Sequence, residues 1–386
     1  MAKQVIINLI DDYDGVSVAD GTVEFSFEGV DYEIDLCEGN AAKLRAVLLP
    51  WIEMSRKATR FDDDEDEDRE ESGVEPAAPV LLRWTDRNIV FPRDSSGAPF
   101  GSRYTPGLEV HGGDMWCLFV RKSDNRLYYA RGNQEAWDAP RLFSGDAAPT
   151  VVSAPQLAEV AGELHAVFSE YSSGRIDLVH YRYDDAAGDW AYRCGSAQHA
   201  AGAPALAAYE GRLFCAYVAD GPSKELLFTT WDEYHGWSRP MSCGGESSWG
   251  ASALFVMGDE LHLLFASNDQ GREIVDMVYS EPEGPGSGTW ARTVHQPNEF
   301  ANAGVAGAGS ATNGYLGFLR RDAGNLLVST LGPNGWSGHE VPGAYAWEAP
   351  AVVVHDGFVN LIFNARNEMS DLLWLEFPVP QLHSVS

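Results

Sequence analysis

The sequence predicts a mostly β chain: a six-bladed β-propeller preceded by a small ββα-type domain and an acidic linker. Three observations predict it. A repeat of about 49 residues recurs along the chain from Thr105 to Pro378. A tryptophan typical of the last strand of that repeat, Trp84, stands ahead of the first repeat, while the last repeat lacks its final strand. Between this region and an alternating N-terminal segment, every position from 62 to 71 except Arg69 is acidic. The expected division is residues 1–60, a linker at 61–78 and a propeller at 79–380.

Each repeat is easiest to read at its turn. Gly113-Asp114, Gly162-Glu163, Gly211-Arg212, Gly258-Asp259, Asn313-Gly314 and Asp356-Gly357 each precede an alternating apolar run, at 115–120, 164–168, 213–217, 261–265, 315–319 and 358–363. A second run follows at 127–130, 177–181, 226–230, 275–279, 326–330 and 372–376. Alternation marks strands, and Gly, Asn or Asp pairs between runs mark tight hairpins. A further turn then leads to Trp137, Trp190, Trp237, Trp290 and Trp336, which are read as packing residues of the outer strands. The last repeat stops at Phe377-Pro378. Trp84-Thr-Asp-Arg-Asn-Ile-Val-Phe91 reads as its missing fourth strand, beside 372–377. Such pairing joins the two ends of the ring and removes an exposed strand edge.

Composition narrows the classes. An apolar content of 45% with 39 glycines suits a β-rich globular chain with many turns. No apolar run approaches 18 residues, so no membrane span is expected. The N-terminus lacks the basic-then-apolar layout of a signal peptide. The five cysteines (Cys37, Cys117, Cys194, Cys215, Cys243) are scattered, without a Cys-x-x-Cys pair, and are read as reduced thiols. A cytoplasmic location is expected. The net charge of −30 argues against direct nucleic-acid binding, which needs Lys and Arg against phosphate.

The first sixty residues read as three strands and a helix. Residues 4–10 alternate, with Val5, Ile7 and Leu9 on one face. Residues 22–27 and 32–36 form a hairpin pattern. Asn40 is a candidate N-cap for a helix whose face carries Leu44, Leu48, Trp51 and Ile52, with Pro50 expected to kink it or end its first segment. So small a unit cannot bury its apolar face alone, and dimerisation is expected. Met1-Ala-Lys-Gln-Val5, Leu9-Ile-Asp-Asp-Tyr-Asp-Gly15, Thr22-Val-Glu-Phe25, Gly29-Val-Asp-Tyr-Glu-Ile-Asp-Leu36 and Asn40-Ala-Ala-Lys-Leu-Arg45 together resemble the N-terminal dimerisation domain of the Lsr-type nucleoid-bridging proteins of actinobacteria, silencers that work like the H-NS proteins. The resemblance covers residues 1–58. It implies dimers that link further through the N-terminal strand, and it raises the prospect of co-assembly with such a nucleoid protein. The rest departs from that family: the linker is acidic, not basic, and no Arg-Gly-Arg hook occurs. The acidic run is read as a solvated tether, or else as a DNA mimic or a partner for a basic tail.

In a propeller, the loops between strands two and three share one face with the loops leading from strand four to the next blade. That face is expected to carry the ligand site. Its loops offer Trp249, Trp347, Phe300, Tyr104 and Tyr171 beside Arg121, Arg175, Arg272, Arg320, Arg321, Arg366, Glu170 and Glu368. From these, Trp249, Trp347, Arg320, Arg321, Arg366, Arg121, Glu170 and Phe300 form the candidate ligand-binding set. Aromatic faces with forked donors and carboxylates suit a carbohydrate, and the same set suits a protein partner. Trp249 and Trp347 break the tryptophan spacing and serve either as a platform or in blade packing. The landmarks Ala203-Pro-Ala-Leu206, Gly211-Arg-Leu-Phe214 and Leu226-Leu-Phe-Thr-Thr-Trp231 resemble sialidase-fold lectin propellers, which implies the fold and suggests sugar. A sialidase-like glycoside hydrolase is the alternative, but no Asp-box or catalytic motif fixes it. No phosphate loop and no histidine pair at metal-ligand spacing occurs, so neither cofactor nor metal is expected. The chain is read as a non-enzymatic, oligomerising binding protein, or as a regulator that co-assembles with a nucleoid-bridging silencer.

Residues 1–60 are expected to drive self-association. Light scattering should show an oligomer for the full chain and a monomer for a chain beginning at residue 76. Leu48→Asp should dissociate the full-length oligomer by placing a charge on the apolar helix face. A monomeric wild type would overturn the dimerisation reading.

Overall fold

The computed structural model describes residues 21–27, 30–37, 40, 85–90, 100–133, 136–143, 149–172, 174–281, 288–320, 325–332, 335–366 and 371–379. The chain divides into two units, Met1–Ala77 and Ala78–Ser386. In the first, Gly21–Phe27 and Val30–Leu36 form the antiparallel hairpin that the sequence predicts, with Phe27 opposite Val30 and Gly21 opposite Leu36. The Asn40 amide donates to the Cys37 carbonyl at 3.0 Å. The expected strand with Val5, Ile7 and Leu9, the helix with Leu44, Leu48, Trp51 and Ile52, and the acidic run all lie outside the described residues.

The second unit is a six-bladed propeller of antiparallel sheets. Blade 1 is built from Gly107–His111, Asp114–Val120, Leu127–Gly132 and Arg141–Leu142. Blade 2 has Gln156–Val160, Glu163–Ser172, Arg175–Asp184 and Asp189–His199. Blade 3 has Ala205–Tyr209, Arg212–Val218 and Glu225–Asp232, with its outer strand broken into Gly236–Trp237 and Met241–Ser247. Blade 4 has Ala253–Met257, Glu260–Ala266, Ile274–Ser280 and Thr289–Arg292. Blade 5 has Ala301–Gly309, Gly314–Arg320, Asn325–Gly332 and Gly335–Tyr345. Blade 6 has Ala351–His355, Phe358–Asn364 and Leu372–Pro378, and its fourth strand is Thr85–Val90.

The inner hairpins explain why the turn pairs mark the repeat. His111 faces Asp114, Val160 faces Glu163, Tyr209 faces Arg212 and His355 faces Phe358, which leaves two residues per turn. Both turn residues take left-handed φ in these blades, as at Ala161 (53°) and Gly162 (83°). That geometry matches the twist of the strands and favours glycine in the turn. Blade 5 differs. Gly309 pairs with Gly314, so the turn spans four residues, 310–313, instead of two. The Asn313 amide donates to Ser310 Oγ at 3.0 Å, a local bond that closes the longer turn.

Apolar side chains fill each seam between neighbouring blades. Leu118, Phe168 and Trp190 lie between blades 1 and 2, Phe228, Phe265 and Trp290 between 3 and 4, and Phe119, Ile362 and Trp374 between 6 and 1. Trp137 meets Trp374 edge-on at 6.1 Å, and Trp237 and Trp336 pack against the neighbouring clusters. The spaced tryptophans described here are therefore seam residues. One strand-two position alternates in chemistry around the ring: Trp116, His165, Phe214, His262, Tyr315 and Asn360. Where it is polar it is paired. His262 Nδ1 lies 2.9 Å from Asp276 Oδ1, Trp374 Nε1 donates to Asn360 Oδ1 at 3.0 Å, and His165 Nδ1 lies 2.8 Å from His180 Nε2. Burial lowers the last two imidazoles to about 4 and about 3, so both are neutral at pH 7. Cys117, Cys215 and Cys243 are buried free thiols and Cys194 is a half-buried one. Among the described residues no helix is long and apolar enough to cross a membrane.

The ring closes as the sequence predicts. Val90 pairs with Leu373, Ile89 with Trp374 and Thr85 with Glu376, with a bulge between the last two pairs. Trp84 itself lies outside the described residues. A second tie lies on the loop face. The Thr105 amide and hydroxyl both donate to Glu348 Oε2, at 3.0 and 3.1 Å, and the hydroxyl lies 2.7 Å from the Ala349 carbonyl oxygen.

Deleting residues 83–91 should destabilise the whole propeller instead of trimming a tail. At roughly 2 °C per kcal/mol in a domain this large, losing a paired strand should lower the melting temperature by about 10 °C or more. An unchanged melting temperature would mean that the ring is held without this strand.

Candidate functional site: the loop face and the central cavity

The loop entering each blade makes one bridge to the end of that blade's second strand. Ser102 pairs with Arg121, Val151 with Glu170, Ala200 with Ala219, Ser248 with Ser267, Ala301 with Arg320 and Ala346 with Ala365. In blades 1 and 4 the bridging serine also fixes the loop: Ser102 Oγ donates to the Tyr104 carbonyl at 2.7 Å, and Ser248 Oγ to the Gly250 carbonyl at 2.9 Å. These bridges set up equivalent positions. The residue after the bridge is Arg103, Val152, Ala201, Trp249, Asn302 or Trp347. The next is Tyr104, Ser153, Gly202, Gly250, Ala303 or Glu348, and all six line the mouth of the central cavity.

Trp249 and Trp347 therefore occupy the same place in blades 4 and 6. They are 50% and 52% exposed, and each lies beneath an arginine from its own blade. The Arg272 guanidinium stands 3.9 Å from the centre of the Trp249 ring, and that of Arg366 stands 5.2 Å from the Trp347 ring. Backbone geometry places Arg272. It takes a left-handed φ of 55° at the position filled by Asn125 and Lys224 in blades 1 and 3, a conformation uncommon for a long side chain. Its Nη1 donates to the Asn302 carbonyl at 2.6 Å, which holds the guanidinium over the indole. Below Trp249 the chains of blades 4 and 5 nearly touch. A side chain at Gly304 would come within 3.0 Å of the Ala251 backbone, so glycine is required there.

The other expected site residues fall in several places. Phe300 is exposed and bridges Glu273, next to Arg272. Tyr171 and Tyr345 add exposed rings to the same set of loops, and the Arg366 amide donates to the Tyr345 carbonyl. Arg320 is exposed at the end of its strand. Arg321 lies outside the described residues. Arg121 turns its guanidinium onto Phe100, 4.5 Å from the ring centre, and lies 3.8 Å from Asp124. Glu170 is half-buried at the bridge of blade 2, and burial raises its pKa. The structure thus gathers two aromatic–arginine pairs and leaves Arg121 and Glu170 on other blades. Arg272 joins the site through its backbone conformation, which its residue type does not announce.

The cavity was not anticipated from the sequence. It encloses about 630 Å³ between the innermost strands. Its wall on blades 6, 1 and 2 carries Glu348, Glu109 and Glu159, while blades 3 to 5 present small residues such as Ala207, Ala208, Ala306 and Gly307. No Lys, Arg or His lies among its described lining residues. Glu159 Oε2 is 2.7 Å from His111 Nδ1. Glu109 accepts the Val110 amide at 2.8 Å. Burial, with a smaller contribution from the charge of Glu159, pushes its carboxyl up to about 7 against the restraint of that hydrogen bond. The signal was present in the sequence: both glutamates interrupt inner strands whose counterparts are apolar or alanine. Among the described residues no cluster of His, Cys, Asp or Glu could hold a metal ion.

Comparison with known proteins adds two findings. Residues 1–59 match the family model described as the Lsr2 dimerization domain. The propeller is similar to the α-L-arabinanase of Penicillium chrysogenum complexed with arabinobiose, at 14% identity and a TM-score of 0.56, over 72% of this chain and 93% of that one. It is also similar to AofleA of Arthrobotrys oligospora, at 13% identity and a TM-score of 0.52, over 72% and 87%. The fungal lectin of Aleuria aurantia, a six-bladed β-propeller, matches at 16% identity and a TM-score of 0.46, over 62% and 78%. At such identities the likeness is one of fold.

Glu109 makes stability depend on pH. Between its ordinary value near 4.5 and the folded value of about 7, the folded chain keeps a proton that the unfolded chain has released. Stability therefore falls as pH rises through this window. Glu109→Gln should raise the melting temperature at pH 8 and leave it nearly unchanged at pH 4.5. An equal shift at both pH values would show that Glu109 is not the group responsible.

Proposed function

We propose that this chain is a non-enzymatic binding protein that presents its propeller in several copies on a self-associating N-terminal domain. The observation that carries this reading is the pair of half-exposed tryptophans at equivalent blade positions, each under an arginine, on the face that opens into the cavity. Half-exposed aromatic rings flanked by guanidinium groups suit either the C–H face of a sugar or a protein hot spot. The ligand is a carbohydrate or a protein. The arabinobiose complex of the arabinanase supports the sugar by analogy of fold alone. The dimerization-domain match supports multivalency, by which weak sites gain avidity on one oligomer. The free thiols fit a cytoplasmic location, and the net charge of −30 fits a chain that does not bind nucleic acid directly.

The same match favours a second reading, in which residues 1–59 co-assemble with a nucleoid-bridging silencer and recruit or antagonise it. A glycoside-hydrolase reading draws on Glu109, whose raised pKa beside Glu159 is what a general acid needs.

A glycan array and a lysate pull-down separate these readings. Trp249→Ala and Trp347→Ala should each abolish binding to the propeller and shift the melting temperature by only a few degrees. Glycans lost in both variants support a lectin, and proteins lost in both support a scaffold. Arrayed glycans that are cleaved instead of retained support the hydrolase. A nucleoid protein captured by residues 1–60 alone supports co-assembly. If both variants keep every ligand of the wild type, the site lies elsewhere.

A further inference from the structure

We infer that the central cavity takes a saccharide bearing a protonated amine, an amino sugar, held by its charge against the wall formed by blades 6, 1 and 2. The inference rests on the reading of the propeller as a binding protein and names the ligand class of its cavity.

The cavity has two unlike halves. On one side Glu348, Glu109 and Glu159 supply carboxylates from three consecutive blades, and no described lining residue supplies a cation. Three arginines of the loop face are engaged outside the cavity: Arg103 donates to Asn125 Oδ1 at 2.6 Å, Arg272 donates to the Asn302 carbonyl at 2.6 Å, and Arg366 stacks on Trp347. Glu348 is hydrogen-bonded by Thr105 and Glu109 by the Val110 amide, both neutral donors, so an ammonium group would be the first cation to meet either carboxyl. Only Glu159 has an ionisable partner, His111. A cavity of one sign with low-dielectric walls concentrates ions of the other sign.

The opposite half speaks for a sugar ring instead of a bare amine. Alanine and glycine on blades 3 and 5 leave a smooth apolar wall, and Trp249 stands at its rim. Ser252 lines this half at 6% exposure, and its hydroxyl has no hydrogen-bond partner among the described residues. In blades 1, 2, 3 and 6 the corresponding loop position holds Pro106, Pro155, Pro204 and Pro350, so the hydroxyl is particular to blade 4. A buried hydroxyl without a partner is unfavourable until a ligand group meets it. A sugar hydroxyl at Ser252, an apolar ring face toward Trp249 and an ammonium group toward Glu109 use all three features. The volume of about 630 Å³ lies within the usual range of small-molecule sites.

Calorimetric titration of the full-length chain with the trisaccharide of glucosamine, and with its N-acetylated form, tests the inference. The two probes share a backbone and differ in charge. The amine form should bind at least about tenfold more tightly, as expected for a hydrogen bond between charged groups. Glu109→Gln should remove that preference without weakening the acetylated form, and Glu159→Gln serves if the first variant does not fold. Ser252→Ala should weaken both forms. Equal binding of the two probes, or a preference for the acetylated one, overturns the amine assignment and leaves the binding-protein reading standing. If neither probe binds while the array retains other glycans, the assignment again falls alone. If neither binds and neither glycans nor proteins are retained, the binding-protein reading falls with it.

Discussion

A ring of sheets stands or falls on how its two ends meet. In this propeller each blade buries its faces against its neighbours, so an open ring would expose two apolar faces and a strand edge at once. The chain meets this constraint by reserving a strand from ahead of the first repeat, Thr85–Val90, and pairing it with Leu372–Pro378. Inside the seam, Trp374 is fully buried and touches Trp137 of blade 1. On the loop face, Thr105 and Glu348 tie the same two blades together. Everything that depends on the shape of the ring, the cavity and the loop positions above all, depends on this join.

Much of the fold was legible because its local requirements are strict. A two-residue hairpin with left-handed φ calls for glycine, so the Gly162-Glu163 and Gly211-Arg212 pairs located the blades before any packing was considered. Asn313-Gly314 marked its hairpin equally well, although the turn there, closed by Ser310, is two residues longer than the others. Trp84, out of place before the first repeat, was enough to locate the closing strand. The N-terminal unit was legible in a different way, through ordered motifs, and the family match covers the same segment, residues 1–59.

The site was legible in part. Trp249 and Trp347 were noticed because they break the spacing of the structural tryptophans, and the fold puts them at one equivalent position. Arg366 was noticed as a loop cation and does stack on Trp347. Arg121 belongs to the same class by sequence, yet its own blade offers Phe100, Tyr128 and Asp124, and it settles there. No sequence pattern separates those outcomes, because they depend on which rings lie within reach. Glu109 and Glu159 were missed for another reason. Each departs from the apolar residues at its counterparts in the other blades, but a single strand does not show that such positions line one cavity; ring closure brings them to it.

The Thr105–Glu348 contact gives this propeller a property that a plain cavity would lack. The carboxylate that holds blade 6 to blade 1 is also part of the cavity lining. Occupancy of the centre and cohesion of the ring are therefore linked functions of one group, and linkage is reciprocal. A cation that draws Glu348 inward loosens the join by as much free energy as the join withholds from the cation. A ligand that engages Glu348 would therefore be felt at the seam where the chain meets itself, in local opening there and in the rate at which its amides exchange with solvent.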